Sequence, residues 1–591
     1  MRVADYIMQR LLQVGIRHVF LVTGRGALFL TDALAKNTNL APVCMHHEQS
    51  AAFAAVAYAQ QTDGYGACLV STGCAATNTI TGVLSAWQDG VPCIFISGQN
   101  TLKQTTRYTG LGIRTYGQQE ADIVALVRPI TKYVRMITSP SEIVDAMDEA
   151  LIAAISGRKG PVWIDVPLDL QSAIIECPTP GNLTPPPPRR CGAEDFAYLV
   201  DALHAAQRPV LLLGSGVRSA GGVASLERWL DQRPMPVTFT PSAADSYGSG
   251  RPLSIGSVGS MACSRSGNFA VQNADLVVVL GSRLNSLTTG PDVCKFARAA
   301  KIVVVDIDPI EHSKESVRID RFIHADARDV LERLCDAPLP GVSQHWLDRC
   351  HRWKQTFPAV ESSFHCDEQV DLYALADSLS RVLPHNSTLV TDSGLIELIL
   401  PANVRFRNGL HCIHPASQGC MGFALPAAVG VLSATSHPVV AVVGDGSIMM
   451  NLQELETVRH GRLPLKLLIV NNNVYGIIRR RQRDLFRRRT IGTDPANGIS
   501  CPEFAKVAAC FDIPYDRIDS ADDLDGRLRD VLEREGPVLC EVMGRPDQDY
   551  IEVALTRDRT GRSVRRPLED QSPFLDRGLF LAEMIVEPID Q

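Results

Sequence analysis

Unbroken apolar runs separated by polar stretches of helix length recur along the whole chain. The first third holds His18-Val-Phe-Leu-Val22, Cys68-Leu-Val70, Cys93-Ile-Phe-Ile96 and Val162-Trp-Ile-Asp-Val166. The middle holds Pro209-Val-Leu-Leu-Leu213, Asp275-Leu-Val-Val-Val-Leu280 and Lys301-Ile-Val-Val-Val-Asp306, and the last third holds Val439-Val-Ala-Val-Val443 and Leu467-Leu-Ile-Val470. Apolar runs without alternation predict strands buried on both faces, and helical spacers predict crossovers between parallel neighbours. The expected fold is therefore α/β, with three doubly wound parallel-sheet domains in one chain. Their expected bounds are 1–172, 193–340 and 368–548. A proline-rich linker (173–192, with Pro185 to Pro188) and a polar connector (341–367) join them, and a tail (549–591) is expected to fold back over the mouth of the site.

The stretch from Gly444 to Asn473 organises the rest. One run ends in Gly444-Asp445-Gly446-Ser447, residues 453–459 have helical character, and the next run ends in Asn471-Asn472-Asn473. Polar oxygens thus gather at the carboxyl ends of two strands, where α/β sheets bind ligands. Asp445 and the Asn472 amide offer hard oxygens to a divalent cation, and Gly446 and Ser447 open a helix N-terminus toward an anion. Asp-Gly after a strand is also an ordinary turn, and it is the pairing with the asparagines that points to magnesium and a diphosphate.

Composition narrows the classes. With 591 residues, 45% hydrophobic and 21% charged, and a net charge of −7, the chain reads as a globular protein with no nucleic-acid or membrane partner. The N-terminus lacks a signal-peptide core and no apolar run is long enough to span a bilayer, so a cytoplasmic location is expected. Sixteen cysteines without a Cys-x-x-Cys pair, many inside apolar segments, read as buried reduced thiols.

The glycine-aspartate and asparagine motifs together resemble the thiamine diphosphate (ThDP) signature of the acetolactate synthase and pyruvate decarboxylase superfamily. The resemblance implies that Asp445, Asn472 and the carbonyl of Val474 hold Mg2+, and that Gly444, Gly446, Ser447, Asn473 and Tyr475 surround the cofactor. It also implies diphosphate contacts from Asp392 and Ser393, and support from Gln418 and Met421, the latter lying beneath the cofactor. In Met45-His-His-Glu48-Gln49, Glu48 matches the glutamate that shares a proton with the cofactor's aminopyrimidine ring. Ser71-Thr-Gly-Cys-Ala-Ala-Thr-Asn78 takes the place of the family's Gly-rich loop, with Cys74 to Ala76 replacing its usual Pro-Gly-Gly. A homodimer or homotetramer with sites shared between chains is implied as well. A catalytically inactive regulatory relative is the rival reading, and the presence of Glu48, Asp445 and Asn472 speaks against it.

Departures from the family bear on the reaction. Acetolactate synthases carry an arginine where Leu287 stands, a tryptophan where Arg481 stands and a phenylalanine where Gln118 stands, next to Gln119. The loss of a carboxylate-binding arginine disfavours a second 2-oxo acid as acceptor. The expected reaction is decarboxylation of a 2-oxo acid, pyruvate in the simplest case, with transfer of the acyl anion equivalent to another carbonyl compound such as a keto-sugar nucleotide. Arg479, Arg481 and Gln482 are the substrate-side candidates. The pattern of Tyr475, Arg479 and Gln482, with the Pro567-Leu-Glu-Asp tail, looks like the branch of nucleotide-sugar carboligases typified by yersiniose synthase. Acetolactate synthase, a simple 2-oxo acid decarboxylase and an acyl-CoA lyase are the alternatives. Gly214, Gly216, the Gly256–Gly259 turn, Arg283 and Asp306 fall where the family binds FAD, although a plain Rossmann-like scaffold also uses such glycines.

Overall fold

The computed structural model describes residues 1–591 except 177–182, 315, 365–367, 408, 558–560 and 590–591. Part of the expected linker lies outside the described residues, whereas Pro185 to Pro188 are exposed coil. Three six-stranded sheets follow one another, and every pairing within them is parallel.

The first sheet contains β1 (His18–Leu21), β2 (Ala41–Cys44), β3 (Gly66–Val70), β4 (Cys93–Gln99), β5 (Tyr133–Met136) and β6 (Val162–Pro167) in the order β2-β1-β3-β4-β6-β5. The second contains β7 (Pro209–Leu213), β8 (Val237–Phe239), β9 (Ser254–Ser257), β10 (Leu276–Leu280), β11 (Lys301–Asp306) and β12 (Arg321–His324) in the order β12-β11-β10-β7-β8-β9. The third contains β13 (Thr388–Thr391), β14 (His411–Ile413), β15 (Val439–Gly444), β16 (Leu465–Asn471), β17 (Tyr515–Ile518) and β18 (Val538–Met543) in the order β14-β13-β15-β16-β18-β17. Each apolar run named above is a strand, and β3, β4, β6, β7 and β10 are buried at every position. The α/β reading therefore holds for all three sheets.

The first and third domains share a core through two helices. Helix Glu48–Thr62 is buried from Ser50 to Ala59, and it lies on helix Ala424–Ala434 with the rings of Phe53 and Phe423 at 5.3 Å. Its alanines permit very close neighbours: a Cβ on Gly430 would fall 2.1 Å from the Ala54 carbonyl oxygen, and one on Gly82 would fall 2.4 Å from the Ala52 Cβ. The backbone entering this helix is thereby fixed against the third domain.

The tail docks on the middle domain. Arg265 donates to the carbonyls of Gln571 and Pro573, Gln272 donates to Glu569 (2.5 Å), Trp353 donates to the Glu583 carbonyl (3.2 Å), and Phe580 packs on Phe269. The start of the tail reaches the candidate site region at Arg480, which meets Asp549 (3.5 Å), the Tyr550 ring (4.4 Å) and Glu552 (2.7 Å). The expected cover over the mouth is thus mainly a brace for the second sheet. Among the described residues, no helix is long and apolar enough to cross a membrane, and the described cysteines are all free thiols.

Candidate active site

Strands β13, β15 and β16 are adjacent, so their carboxyl ends bring Asp392, Asp445 and Asn471–Asn473 together. Asp392 is fully buried and accepts from the backbone N–H groups of Ser393 (2.7 Å), Gly422 (3.1 Å) and Ala424 (2.7 Å) and from the Ser447 hydroxyl. Burial raises its pKa against those bonds. The Ser447 oxygen also accepts from the Gly422 N–H at 3.0 Å. Asp392 and Ser447 therefore clip the Met421 loop to the Asp445 turn.

Asp445 is buried, and burial raises its pKa to about 6. Its carboxylate accepts from the N–H groups of Gly446 (2.7 Å) and Asn473 (2.6 Å), and among the described residues it makes no ion pair. Asn472 accepts from the Val474 N–H through its Oδ1 (3.2 Å), and Asn473 takes a left-handed backbone (φ 55°), which asparagine tolerates. Tyr475 lies over the turn so closely that a Cβ on Gly446 would fall 1.8 Å from its ring. Among the described residues, no three His, Cys, Asp or Glu side chains form a metal site. A desolvated carboxylate without an ion-pair partner among the described residues, beside an amide oxygen, is a donor set that fits a divalent cation.

At the carboxyl edge of the first sheet, Glu48 opens its helix and accepts from the Asn78 amide at 2.9 Å. Asn78 ends helix Cys74–Asn78, which begins after Gly73 at φ 64°. Only glycine fits there, since a Cβ would lie 1.7 Å from the Gln119 carbonyl oxygen. The neighbouring Gln118 accepts from Arg25 at its side chain (2.7 Å) and from Asn100 at its carbonyl (2.9 Å). Glu48 is then linked to the third domain through a residue absent from the sequence reading. Asn451, fully buried, accepts from Ser50 (2.9 Å) and donates to Gln49 (3.2 Å) and to the Gly422 carbonyl (2.8 Å). Its signal was its place at the end of the Asp445 turn. Arg25 was also missed, though it stands between two glycines after β1.

The arginine-rich helix Gly476–Leu485 is largely neutralised. Arg480 pairs with Glu552 and lies over the Tyr550 ring (4.4 Å), Arg483 pairs with Asp547 (2.7 Å), and Arg479 faces Asp494 at 3.5 Å. Gln482 accepts from the Ile491 N–H at 2.7 Å and donates to its carbonyl at 3.3 Å, closing the loop after the helix. Arg481 is half exposed, 3.9 Å from both Glu552 and the Met261 sulfur. Leu287 is exposed, and its carbonyl accepts from the Ser260 N–H at 2.7 Å. The two departures at 287 and 481 therefore meet at the 260–261 turn.

A separate cavity of about 720 Å³ lies between the first and second domains, lined by Gly214, Gly216, Arg283, Asp306, Arg158 and Ser417 among others. Arg283 donates to Ser417 at 2.9 Å, one residue before Gln418, so the cavity abuts the Met421 segment. Gly256 and Gly259 do not line it; they pack against Ser264 and Cys263. Asp89, also on its wall, is pushed up to about pKa 6 by burial.

Comparison with known proteins agrees with this geometry. Three family models match in order: the N-terminal TPP binding domain of thiamine pyrophosphate enzymes over 1–126, their central domain over 196–334 and their C-terminal TPP binding domain over 392–542. The acetolactate synthase isozyme 1 large subunit of Escherichia coli (strain K12) is 31% identical over 91% of this chain and 93% of its own length. The isozyme 2 large subunit of the same organism is 32% identical over 91% and 95%, and the chloroplastic acetolactate synthase 2 of Zea mays is 30% identical over 93% and 86%. The chain thus belongs to the acetolactate synthase-like superfamily of thiamine pyrophosphate enzymes.

Proposed function

We propose that the enzyme is a ThDP- and Mg2+-dependent carboligase that decarboxylates a 2-oxo acid, pyruvate in the simplest case, and joins the acyl unit to a second carbonyl compound. The observation that carries this reading is the Asn451 junction, which ties the start of the Glu48 helix to the Met421–Gly422 loop beside the unpaired Asp445 carboxylate. When bound, ThDP supplies a nucleophilic carbon and an electron sink. Asp445, Asn472 and the Val474 carbonyl hold the metal. Gly444, Gly446, Ser447, Ser393, Asn473 and Gln418 surround the cofactor, with Tyr475 and Met421 as apolar walls. Glu48 holds and moves the activating proton, with Asn78 fixing its carboxylate. We place the enzyme in the cytoplasm as a homodimer or homotetramer in which a second chain covers the open first-domain edge. We further propose the cavity at Gly214, Gly216, Arg283 and Asp306 as the FAD site.

A second 2-oxo acid is the acceptor best supported, because the full-length relatives are acetolactate synthases. This moves the weight from the acceptor first expected from the sequence to its alternative. The keto-sugar acceptor stands as the second reading on one observation: the backbone of exposed, apolar Leu287 bonds to Ser260, and half-exposed Arg481 approaches the adjacent Met261 at 3.9 Å. Incubating the protein with ThDP, Mg2+ and pyruvate, alone and with each acceptor class, and identifying products by mass spectrometry separates them. Acetolactate from pyruvate alone establishes the first reading, and product formation only with a hydroxylated ketone establishes the second. Absence of ThDP-dependent CO2 release rejects both.

A further inference from the structure

Arg25 stands on a piece of backbone that cannot move aside. The turn Gly24-Arg25-Gly26 follows β1, and its glycines are pressed against the loop after β3: a Cβ on Gly24 would fall 2.5 Å from the Ser71 Cβ, and one on Gly26 would fall 3.0 Å from the Thr72 Cβ. The Gly26 N–H donates to the Ser71 hydroxyl at 3.0 Å, and its carbonyl accepts from Gln171 at 2.6 Å. On the third side, a Cβ on Gly98 would fall 2.0 Å from the Gly26 carbonyl oxygen. Between these two confined glycines the arginine side chain points outward and is exposed.

Among the described residues its side chain meets a neutral partner. The Arg25 Nη1 donates to the Gln118 Oε1 at 2.7 Å, and the Gln118 backbone is itself held by Asn100. With the amide oxygen committed to the arginine, the Gln118 amide nitrogen is left to donate, beside the remaining guanidinium N–H groups. Donors converge, and among the described residues no carboxylate pairs with the guanidinium. The group stands on the Glu48 edge: Gln118 precedes Gln119, whose carbonyl rests on Gly73, and Gly73 starts the short helix whose Asn78 holds Glu48.

We infer that Arg25 and Gln118 form a receptor for anionic oxygens of the substrate at the first-domain side of the active site. A planar guanidinium with one N–H fixed by a neutral acceptor offers its others to a carboxylate or phosphate, the geometry in which arginine binds such groups best. The inference rests on the ThDP carboligase reading and adds a specificity-determining residue to it. Two sources share the chemistry: the carboxylate of the 2-oxo acid donor and a phosphate on the acceptor.

The test compares wild type, Arg25→Ala, Arg25→Lys and Gln118→Ala as holoenzymes, each checked for ThDP affinity and thermal midpoint. One arm measures ThDP-dependent CO2 release against pyruvate concentration. The other holds pyruvate saturating and compares dihydroxyacetone phosphate with dihydroxyacetone as acceptor. If the donor carboxylate is the guest, Arg25→Ala raises the pyruvate KM by about tenfold or more, with a smaller change in kcat. If an acceptor phosphate is the guest, the preference for the phosphorylated acceptor collapses instead. In either case inorganic phosphate inhibits wild type competitively and Arg25→Ala weakly, and Arg25→Lys recovers part of the effect because it keeps the charge without the fork. Unchanged KM values in both arms, or a loss of ThDP affinity equal to the loss of kcat/KM, overturns the inference while leaving the carboligase reading intact. A wild type without ThDP-dependent CO2 release rejects that reading and the inference with it.

Discussion

At the third-domain turn the site-forming side chains face inward and are engaged by their own chain: Asp392 carries four donors, Ser447 both donates and accepts, and Asp445 is wrapped by two backbone N–H groups. At the first-domain edge Glu48, Asn78, Arg25 and Gln118 are partly or fully exposed, and their side chains join in the pairs Glu48–Asn78 and Arg25–Gln118. The difference follows from where each set lies. The turn sits over the middle of a buried parallel sheet, where an unsatisfied polar atom costs about 1–3 kcal/mol, whereas the edge still sees water and pays little for loose ends. One half is therefore rigidly preformed and the other adjustable, as the proposed cofactor and proton-transfer roles would require.

Substitutions that confuse chemistry with scaffolding are the strongest way to break this contrast. Glu48→Gln keeps shape and hydrogen bonding but cannot carry the proton, so turnover falls by about 10²–10⁴-fold, while calorimetry shows ThDP affinity and thermal midpoint close to wild type. Wild-type turnover would make the open edge a mere surface. Asp392→Ala acts oppositely: it strands four buried donors and destabilises the third domain by about 3–5 kcal/mol, read as a lower thermal midpoint even without ligands. Asp445→Ala falls between them. The apo-protein loses only about 1–2 kcal/mol, because relief of the desolvated carboxylate offsets the stranded Gly446 N–H and the Asn473 N–H keeps the Asn471 Oδ1 (3.0 Å), but Mg2+-dependent ThDP affinity drops by about 100-fold or more in a calorimetric titration. If Asp445→Ala unfolded the domain as Asp392→Ala does, the assignment of one carboxylate to ligand and the other to scaffold would be wrong.

How much of this was legible follows the same division between inside and outside. The interior strands β3, β4, β6, β7, β10, β11, β15 and β16 announced themselves because burial on both faces demands unbroken apolar residues. The edges did not: β2 carries Pro42 and is mostly exposed, β5 is half-buried, and β12 begins with Arg321, since an edge strand faces water on one side and tolerates proline and charge. The Asp445 and Asn472 positions were readable because strand ends place polar residues at fixed spacing. Asn451 and Arg25 were not, for their importance depends on partners far off in sequence: Gly422, Gln49 and Ser50 for the first, and Gln118 for the second. The helix that carries Arg479 and Arg481 is legible only in part: spacing shows its arginines but not the acids of 547–552 that pair with Arg480 and Arg483.

The support beneath the open edge gives the smallest and most discriminating prediction. Asp165 on β6 is buried, and desolvation pushes its pKa up to about 7 against hydrogen bonds from Ser97 (2.6 Å) and Gln99 (3.3 Å). Gln99 in turn accepts from Thr72 at 2.5 Å, so this network underlies the loop that carries Gly73. Because the folded-state pKa lies above the unfolded value of about 3.8, the folded protein binds the extra proton in between. The group's contribution is therefore fully present below about pH 4 and is lost as pH rises through about 7. Asp165→Asn cannot ionise, so its stability should decline less between pH 5 and 8 than that of wild type. At pH 5 it should be weaker by about 1 kcal/mol, since the new amide N–H2 meets the Gln99 N–H2 that formerly donated to a carboxylate oxygen. Hydrogen exchange at residues 162–167 across urea at both pH values reads the local opening energy. Parallel pH profiles in the two proteins would show that Asp165 stays ionised in the fold, and that the edge rests on a charged support rather than a neutral one.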